Sequence, residues 1–198
     1  MEAGGPKLRS KSALLIIDIQ NDFCEPNGSL AIKGSLSIIP LINKLREHSI
    51  FDHVFLCRDW HPKDHVSFAC NHIGGEPYSM IKVGDAGRHQ VLWPTHCVQG
   101  TFGAKYHRNL IIAGSDFEII KGKYTSIDSY SCFGEDGEDT ELGKRLAELE
   151  VKNIFCCGLG LDSSVGSTAE DAIKRGFNTY LVKDCSKSVA LDSEKTMM

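Results

Sequence analysis

The chain has 198 residues, of which 41% are hydrophobic and 24% charged, with a formal net charge of −4. Those values fit one globular domain with a sizeable core. They offer no electrostatic footprint for nucleic acid or an anionic membrane, and no apolar run approaches spanning length. Residues 1–11 lack an apolar stretch behind their basic residues, so they read as a flexible arm rather than a secretory signal. The domain then occupies residues 12–198. The cysteines are Cys24, Cys57, Cys70, Cys97, Cys132, Cys156, Cys157 and Cys185. None forms a CxxC pair and several sit in apolar strand patterns, so they read as reduced thiols of a cytoplasmic or nuclear protein.

The first predicted element is a strand at Ser12–Ile19, a near-continuous apolar run of the kind buried in parallel sheets. Asp18 lies near its carboxyl end, where an ionisable residue is costly unless paired or useful. Asp22 reads as a capping or turn residue ahead of the Pro26-Asn27-Gly28 turn. Ser37–Glu47 predicts a helix with Pro40 in its first turn and Ile38, Leu41, Ile42 and Leu45 on one face. His53–Arg58 is a second strand, followed by Asp59-Trp60-His61-Pro62.

Between Pro62 and Ser115 no strong periodicity appears. A loop of that length is functional or conceals short elements. Asp59 and His61 alone are a weak metal signal. With His96 from a separate loop they make one carboxylate and two imidazoles, a facial set with open positions. His65 and His72 compete for that role but read as surface histidines. Phe117–Lys121 is a third strand, residues 126–133 an aromatic-bearing loop, residues 134–139 a solvated acidic segment, and Thr140–Leu149 a helix.

Asn153–Phe177 predicts a strand, a glycine-rich turn and a helix. Ile154 to Cys157 fill the strand. Gly158 and Gly160 make the turn, Asp162, Ser163 or Ser164 caps the helix, and Val165, Thr168, Ala169, Ala172 and Ile173 form its small-residue face. Gly176 ends it, and Thr179–Val182 is the last strand. Taken alone, this stretch is equally a connection without chemistry. Strands alternating with helices predict a parallel sheet covered on both faces. In such a sheet Asp18, Lys121 and Ser164 emerge on one edge. A carboxylate, an ammonium and a nucleophile position beside a helix N-terminus describe a covalent acyl-transfer site.

These residues also carry a resemblance. DIQNDF at Asp18–Phe23, RDWHP at Arg58–Pro62, HVSF at His65–Phe68, LWPTHCVQGT at Leu92–Thr101, Lys121-Gly122, DSYSCF at Asp128–Phe133 and GLGLDSSVGSTAEDAIKRGF from Gly158 resemble the nicotinamidases. These are the amidase branch of the isochorismatase-like hydrolases. The resemblance spans roughly Ser12 to Asp184. It implies a three-layer α/β/α, Rossmann-like fold with a mainly parallel sheet, and hydrolysis of nicotinamide to nicotinate and ammonia in pyridine nucleotide salvage toward NAD biosynthesis. It implies a catalytic triad of Asp18, Lys121 and a cysteine. It implies zinc, or another divalent metal, on Asp59, His61 and His96. Phe23, Trp60 and Tyr130 would wall the substrate ring. The backbone N–H groups of Gly160 and Ser164 would hold the oxyanion, after a cis Leu159–Gly160 bond. A homo-oligomer is compatible with all of this.

Two departures stand out. The family pattern of aspartate, aromatic, cysteine, valine reads Asp162, Ser163, Ser164, Val165 here, so the nucleophile position holds a hydroxyl and hydrolysis is expected to be low or abolished. The chain also stops at Met198, where relatives continue through a further helix and strand, so a C-terminally shortened domain with an apolar edge is expected. The alternatives are a catalytically inactive paralogue that binds nicotinamide or nicotinate, and another isochorismatase-like hydrolase.

Overall fold

Residues 13–17, Ala-Leu-Leu-Ile-Ile, leave no polar side chain for either face of a strand. Strand β1 (Lys11–Ile17) accordingly lies at the centre of a five-stranded sheet. The computed structural model describes residues 10–84 and 87–190. Strands β2 (His53–Asp59), β5 (Phe117–Lys121), β6 (Val151–Leu159) and β7 (Asn178–Lys187) complete the sheet in the order β5-β2-β1-β6-β7, every pair parallel.

The two-residue period of β1 sorts its side chains between two cores. Ala13, Leu15 and Ile17 pack with Phe55, Ile119, Leu142, Leu146 and Ala169 on one side. Leu14 and Ile16 pack with Ile38, Ile39, Ile42 and Leu56 on the other. Helix α1 (Ser35–Leu45) therefore covers one face, and α2 (Leu142–Glu148) and α3 (Gly166–Lys174) cover the other. This is the α/β/α arrangement expected from the alternation of strand and helix patterns.

The differences are local. β1 begins one residue early, at Lys11, and the remainder of the expected arm, residues 1–9, lies outside the described residues. Helix α1 starts two residues early, buries Ile39 and exposes Leu41. The long aperiodic stretch contains an antiparallel hairpin, β3 (Met80–Val83) and β4 (Arg88–Val91). Its strands, of four residues each, are too short for a period to register. The acidic segment at residues 134–139 is not uniformly solvated: Glu138 is buried, and its carboxylate accepts the N–H groups of Gly122 (2.8 Å) and Lys123 (3.0 Å).

No side chain caps the helix after β6. The chain enters it through one wide π-helical turn, Leu161–Val165. Asp162 instead accepts the N–H groups of Val189 (2.8 Å) and Ala190 (3.0 Å), tying down the chain beyond β7. β7 runs past Asp184 to Lys187 and forms a sheet edge on which Tyr180 and Leu181 are exposed. Among the described residues no helix is long and apolar enough to cross a membrane, and all eight cysteines are free.

Candidate active site and metal centre

The chain leaves β1 toward β2 on one side and returns to β6 on the other, so β1 and β6 flank the point where the strand order reverses. Crevices outside the carboxyl ends of strands at such points are where ligands bind in open α/β sheets. Asp18 follows β1, Gly160 and Ser164 follow β6, and Lys121 and Asp59 are register partners at the ends of β5 and β2. All but Lys121 line one cavity, together with Phe23, Trp93, His96 and Tyr130.

Lys121, 1% exposed, links the group. Its Nζ lies 3.1 Å from Asp18 Oδ2, donates to Ser164 Oγ at 3.3 Å and pairs closely with Asp59 Oδ1. Burial would discharge a lone ammonium, but the two carboxylates outweigh it and hold the Lys121 pKa well above its ordinary value. Burial and the nearby Asp59 charge push Asp18 up to about 7, against the opposing pull of Lys121 and Ser164. Asp59 goes the other way: burial opposes its charge, yet Lys121, His61 and His96 together hold its carboxyl far below the usual range. Two neighbouring carboxylates thus differ in proton affinity because Asp59 faces Lys121 and both imidazole rings, whereas Asp18 faces only Lys121 and Ser164. Asp18 also holds φ 58°, a left-handed conformation uncommon outside glycine, and its Oδ1 is buried with no hydrogen-bond donor among the described residues.

The turn after β6 shapes the nucleophile position. Gly160, at φ 72°, sits where L side chains are strained, and an added Cβ would overlap Ser163 Oγ. Its carbonyl accepts the N–H groups of Ser163 (3.0 Å) and Val165 (2.9 Å). Thr168 Oγ1 donates to the Ser164 carbonyl at 2.7 Å and fixes the turn from below.

Asp59, His61 and His96 bring one ligand atom each to within 4.8 Å of one another, all three buried. Each histidine is oriented by a backbone carbonyl. His61 Nδ1 donates to Gly122 O at 2.8 Å, and His96 Nδ1 to Pro94 O at 2.7 Å. Both Nε2 atoms then turn toward Asp59 Oδ2, at 3.4 and 3.9 Å, as lone-pair donors. A carboxylate and two imidazoles, each ring held by an outer hydrogen bond, fit a divalent ion. Burial and neighbouring His61 press the His96 pKa down to about 3, which keeps its ring neutral. Gln20 supports the centre by accepting the Asp59 N–H and donating to its carbonyl, both at 2.8 Å. Gly122 is at φ 62°, and an added Cβ there would strike the His61 ring.

A family model described as the isochorismatase domain matches residues 12–198. The chain belongs to the isochorismatase family. Its relatives place it among the nicotinamidase-type hydrolases. It is 39% identical to the nicotinamidase of Acinetobacter baylyi, over 94% of this chain and 86% of that protein. It is 36% identical to the nicotinamidase/pyrazinamidase of Mycobacterium tuberculosis, over 91% of this chain and 89% of that one. A solved Acinetobacter baumanii nicotinamidase superposes with a TM-score of 0.87 at 40% identity, covering 96% of this chain and 91% of that one. A Pyrococcus horikoshii pyrazinamidase solved with zinc superposes with a TM-score of 0.76 at 32% identity, over 94% and 91% of the two chains.

Within this nicotinamidase-type domain the fold gathers Asp18, Lys121, Ser164, Gly160, Asp59, His61, His96, Phe23 and Tyr130 around one crevice. It does not bring Trp60 there. Trp60 is not among the residues lining the cavity, and the Arg58 guanidinium lies over its ring, 4.4 Å from the centroid. Trp93 lines the cavity instead, with its Nε1 donating to Tyr130 Oη at 3.0 Å. Leu159–Gly160 is not cis: the cis bond among the described residues is Glu25–Pro26, and the left-handed conformation of Gly160 makes the turn. His65 is buried rather than on the surface. Its nitrogens are engaged by Ser67 Oγ (2.8 Å) and Ile127 O (2.9 Å), so it is held as a structural residue. His72 is half-buried, with Nε2 2.6 Å from Val66 O. Asp22 pins a loop, accepting the Cys97 N–H at 2.8 Å. Cys156 and Cys157 are buried inside β6, on opposite faces of the sheet.

Trp93, Asp128 and Val189 line the cavity without having been singled out from sequence. Trp93 and Asp128 lie within the WPTHC and DSYSCF motifs. Val189 follows the last strand and carries no local signal.

Proposed function

We propose that the chain binds nicotinamide in this cavity, and that Asp18, Lys121 and Ser164 form a nicotinamidase triad whose nucleophile has oxygen in place of sulfur. The observation that carries the reading is the reach of Lys121 Nζ to both Asp18 Oδ2 (3.1 Å) and Ser164 Oγ (3.3 Å) at the sheet's switch point. In this reading the ring lies near Phe23, Trp93 and Tyr130, its nitrogen toward Asp59, His61 and His96 and its carboxamide toward Ser164. A zinc ion on those three residues would act as a Lewis acid that anchors the ring nitrogen.

The chemistry follows from proton affinities. With a thiol at position 164, of ordinary pKa about 8.5, the Asp18 carboxylate beside the Lys121 ammonium can take the proton. The thiolate then attacks the carboxamide carbon while the N–H groups of Gly160 and Ser164 hold the oxyanion. The proton passes to the amide nitrogen, ammonia leaves, and water cleaves the thioester to nicotinate. A serine hydroxyl is far less acidic, and no neutral histidine touches Ser164 to serve as its base. Hydrolysis by the chain itself is therefore slow or absent.

A second reading, a binder of nicotinamide or nicotinate without turnover, is favoured by the same serine. It also has a precedent in an Arabidopsis thaliana relative described as a probable inactive nicotinamidase, 24% identical over 88% of this chain. Calorimetry tests the shared part of both readings. Nicotinamide should bind, and benzamide, which lacks the ring nitrogen, should bind much more weakly. Equal affinities would contradict the assigned orientation.

A further inference from the structure

The cavity adjoins a second depression on its Ser163 side. Trp93, Tyr130, Ser163 and Val189 line it and also line that shallower depression, which continues outward to Tyr78, Val91 and Ser167. The four shared residues form a doorway. Ser163 carries only a hydroxymethyl group there, and its Oγ turns back to the Gly160 carbonyl at 3.4 Å, so it is too short to close the opening. The facing wall is rigid and aromatic. Trp93 is fixed by Tyr130 Oη at 3.0 Å, and Tyr78 meets the Trp93 ring edge-on, with centroids 5.9 Å apart. Tyr78 nevertheless remains 64% exposed. An exposed aromatic beside an apolar depression leading into a catalytic cavity has the composition of a ligand subsite.

We propose that this outer depression is a specificity subsite for an apolar group on the amide nitrogen of a pyridine carboxamide. The inference rests on the nicotinamide reading of the inner cavity. In that orientation the ring nitrogen faces His96 and the carboxamide faces Ser164, whose chain neighbour Ser163 forms the doorway. A substituent on the amide nitrogen would therefore leave the cavity between Ser163 and Trp93 and lie against Tyr78 and Val91. The matching ligand class is a secondary nicotinamide with a flat or branched apolar arm.

The test is calorimetry on the full chain, purified without chelator, with nicotinamide and N-benzylnicotinamide as probes. Burying the benzyl group should make N-benzylnicotinamide bind at least about tenfold more tightly. Two variants outside the inner cavity should each erode that advantage and leave nicotinamide affinity unchanged. Ser167→Trp fills the depression, and Tyr78→Ala removes its outer wall. Equal or weaker binding of N-benzylnicotinamide by a protein that binds nicotinamide would overturn the subsite, as would an advantage that survives both variants. Failure of nicotinamide itself to bind would sink the inner-cavity reading, and the subsite with it.

Discussion

Replacing Lys121 by Met removes the one ammonium between Asp18 and Asp59 without changing the length of the buried stem. Lys121 is 1% exposed, Asp18 2% and Asp59 5%, so water cannot take over the lost charge. Breaking a buried ion pair by removing one partner costs about 3–5 kcal/mol, because an uncompensated charge is left behind. Here two carboxylates are stranded, which puts Lys121→Met at the upper end of that range. Asp18 is the carboxylate with the weaker hold on its charge, since burial and Asp59 already raise its pKa to about 7. Neutralising it should relieve the variant: Lys121→Met/Asp18→Asn should regain at least about 1 kcal/mol over Lys121→Met. The assay is urea unfolding of chelator-treated protein at neutral pH, followed by circular dichroism, with stabilities from linear extrapolation. A loss below about 1 kcal/mol for Lys121→Met would refute the reasoning, because surface pairs alone have that magnitude. So would a double variant no more stable than Lys121→Met, since the stranded Asp18 charge would then not be the source of the loss.

Gly122→Ala should release bound zinc, because the added methyl group strikes the His61 ring and φ 62° disfavours alanine. Elemental analysis should show its loss there and in His96→Ala, but not in His72→Ala. Trp93→Ala should weaken nicotinamide binding at least about tenfold through the lost aromatic wall, whereas Trp60→Ala should change it less than about threefold, as read by calorimetry. Asp162→Ala should lower stability by about 0.5–1.5 kcal/mol, since Val189 and Ala190 exchange a carboxylate acceptor for water, and the unfolding midpoint in urea reports it.

Much of the sheet is legible in single stretches. Ala13 to Ile17 read as a strand buried on both faces, and Phe117–Lys121 stands alone between turn signals. Asp18, Lys121 and Ser164 converge because parallel strands deliver their carboxyl ends to one edge, a topological consequence that needs no coordinates. What escapes the sequence depends on partners distant along the chain. Asp162 has the composition of a helix cap, but the N–H groups of residues 189 and 190 compete for its carboxylate and win. Glu138 sits in an acidic run that reads as solvated, yet it is buried to hold Gly122, and through Gly122 the ring of His61. Trp60 lies between the candidate ligands Asp59 and His61, and Trp93 lies three residues before His96. In the fold Trp93 lines the cavity, whereas Trp60 lies under the Arg58 guanidinium. The resemblance to nicotinamidases supplied the ring wall as Phe23, Trp60 and Tyr130, and the tertiary packing revises one of the three.

Ammonia release from nicotinamide by Ser164→Cys, measured beside the unmodified chain at equal zinc loading, tests the central claim most directly. The serine form should release ammonia slowly or undetectably and the cysteine form at least about a hundredfold faster, in line with the loss seen when a triad's nucleophile is removed. Asp18→Asn or Lys121→Ala in the cysteine background should abolish the gain. A serine form that turns over as fast as the cysteine form would contradict the account. A cysteine form that stays inert while binding zinc and nicotinamide would contradict it too, and would leave the chain a binder rather than a hydrolase.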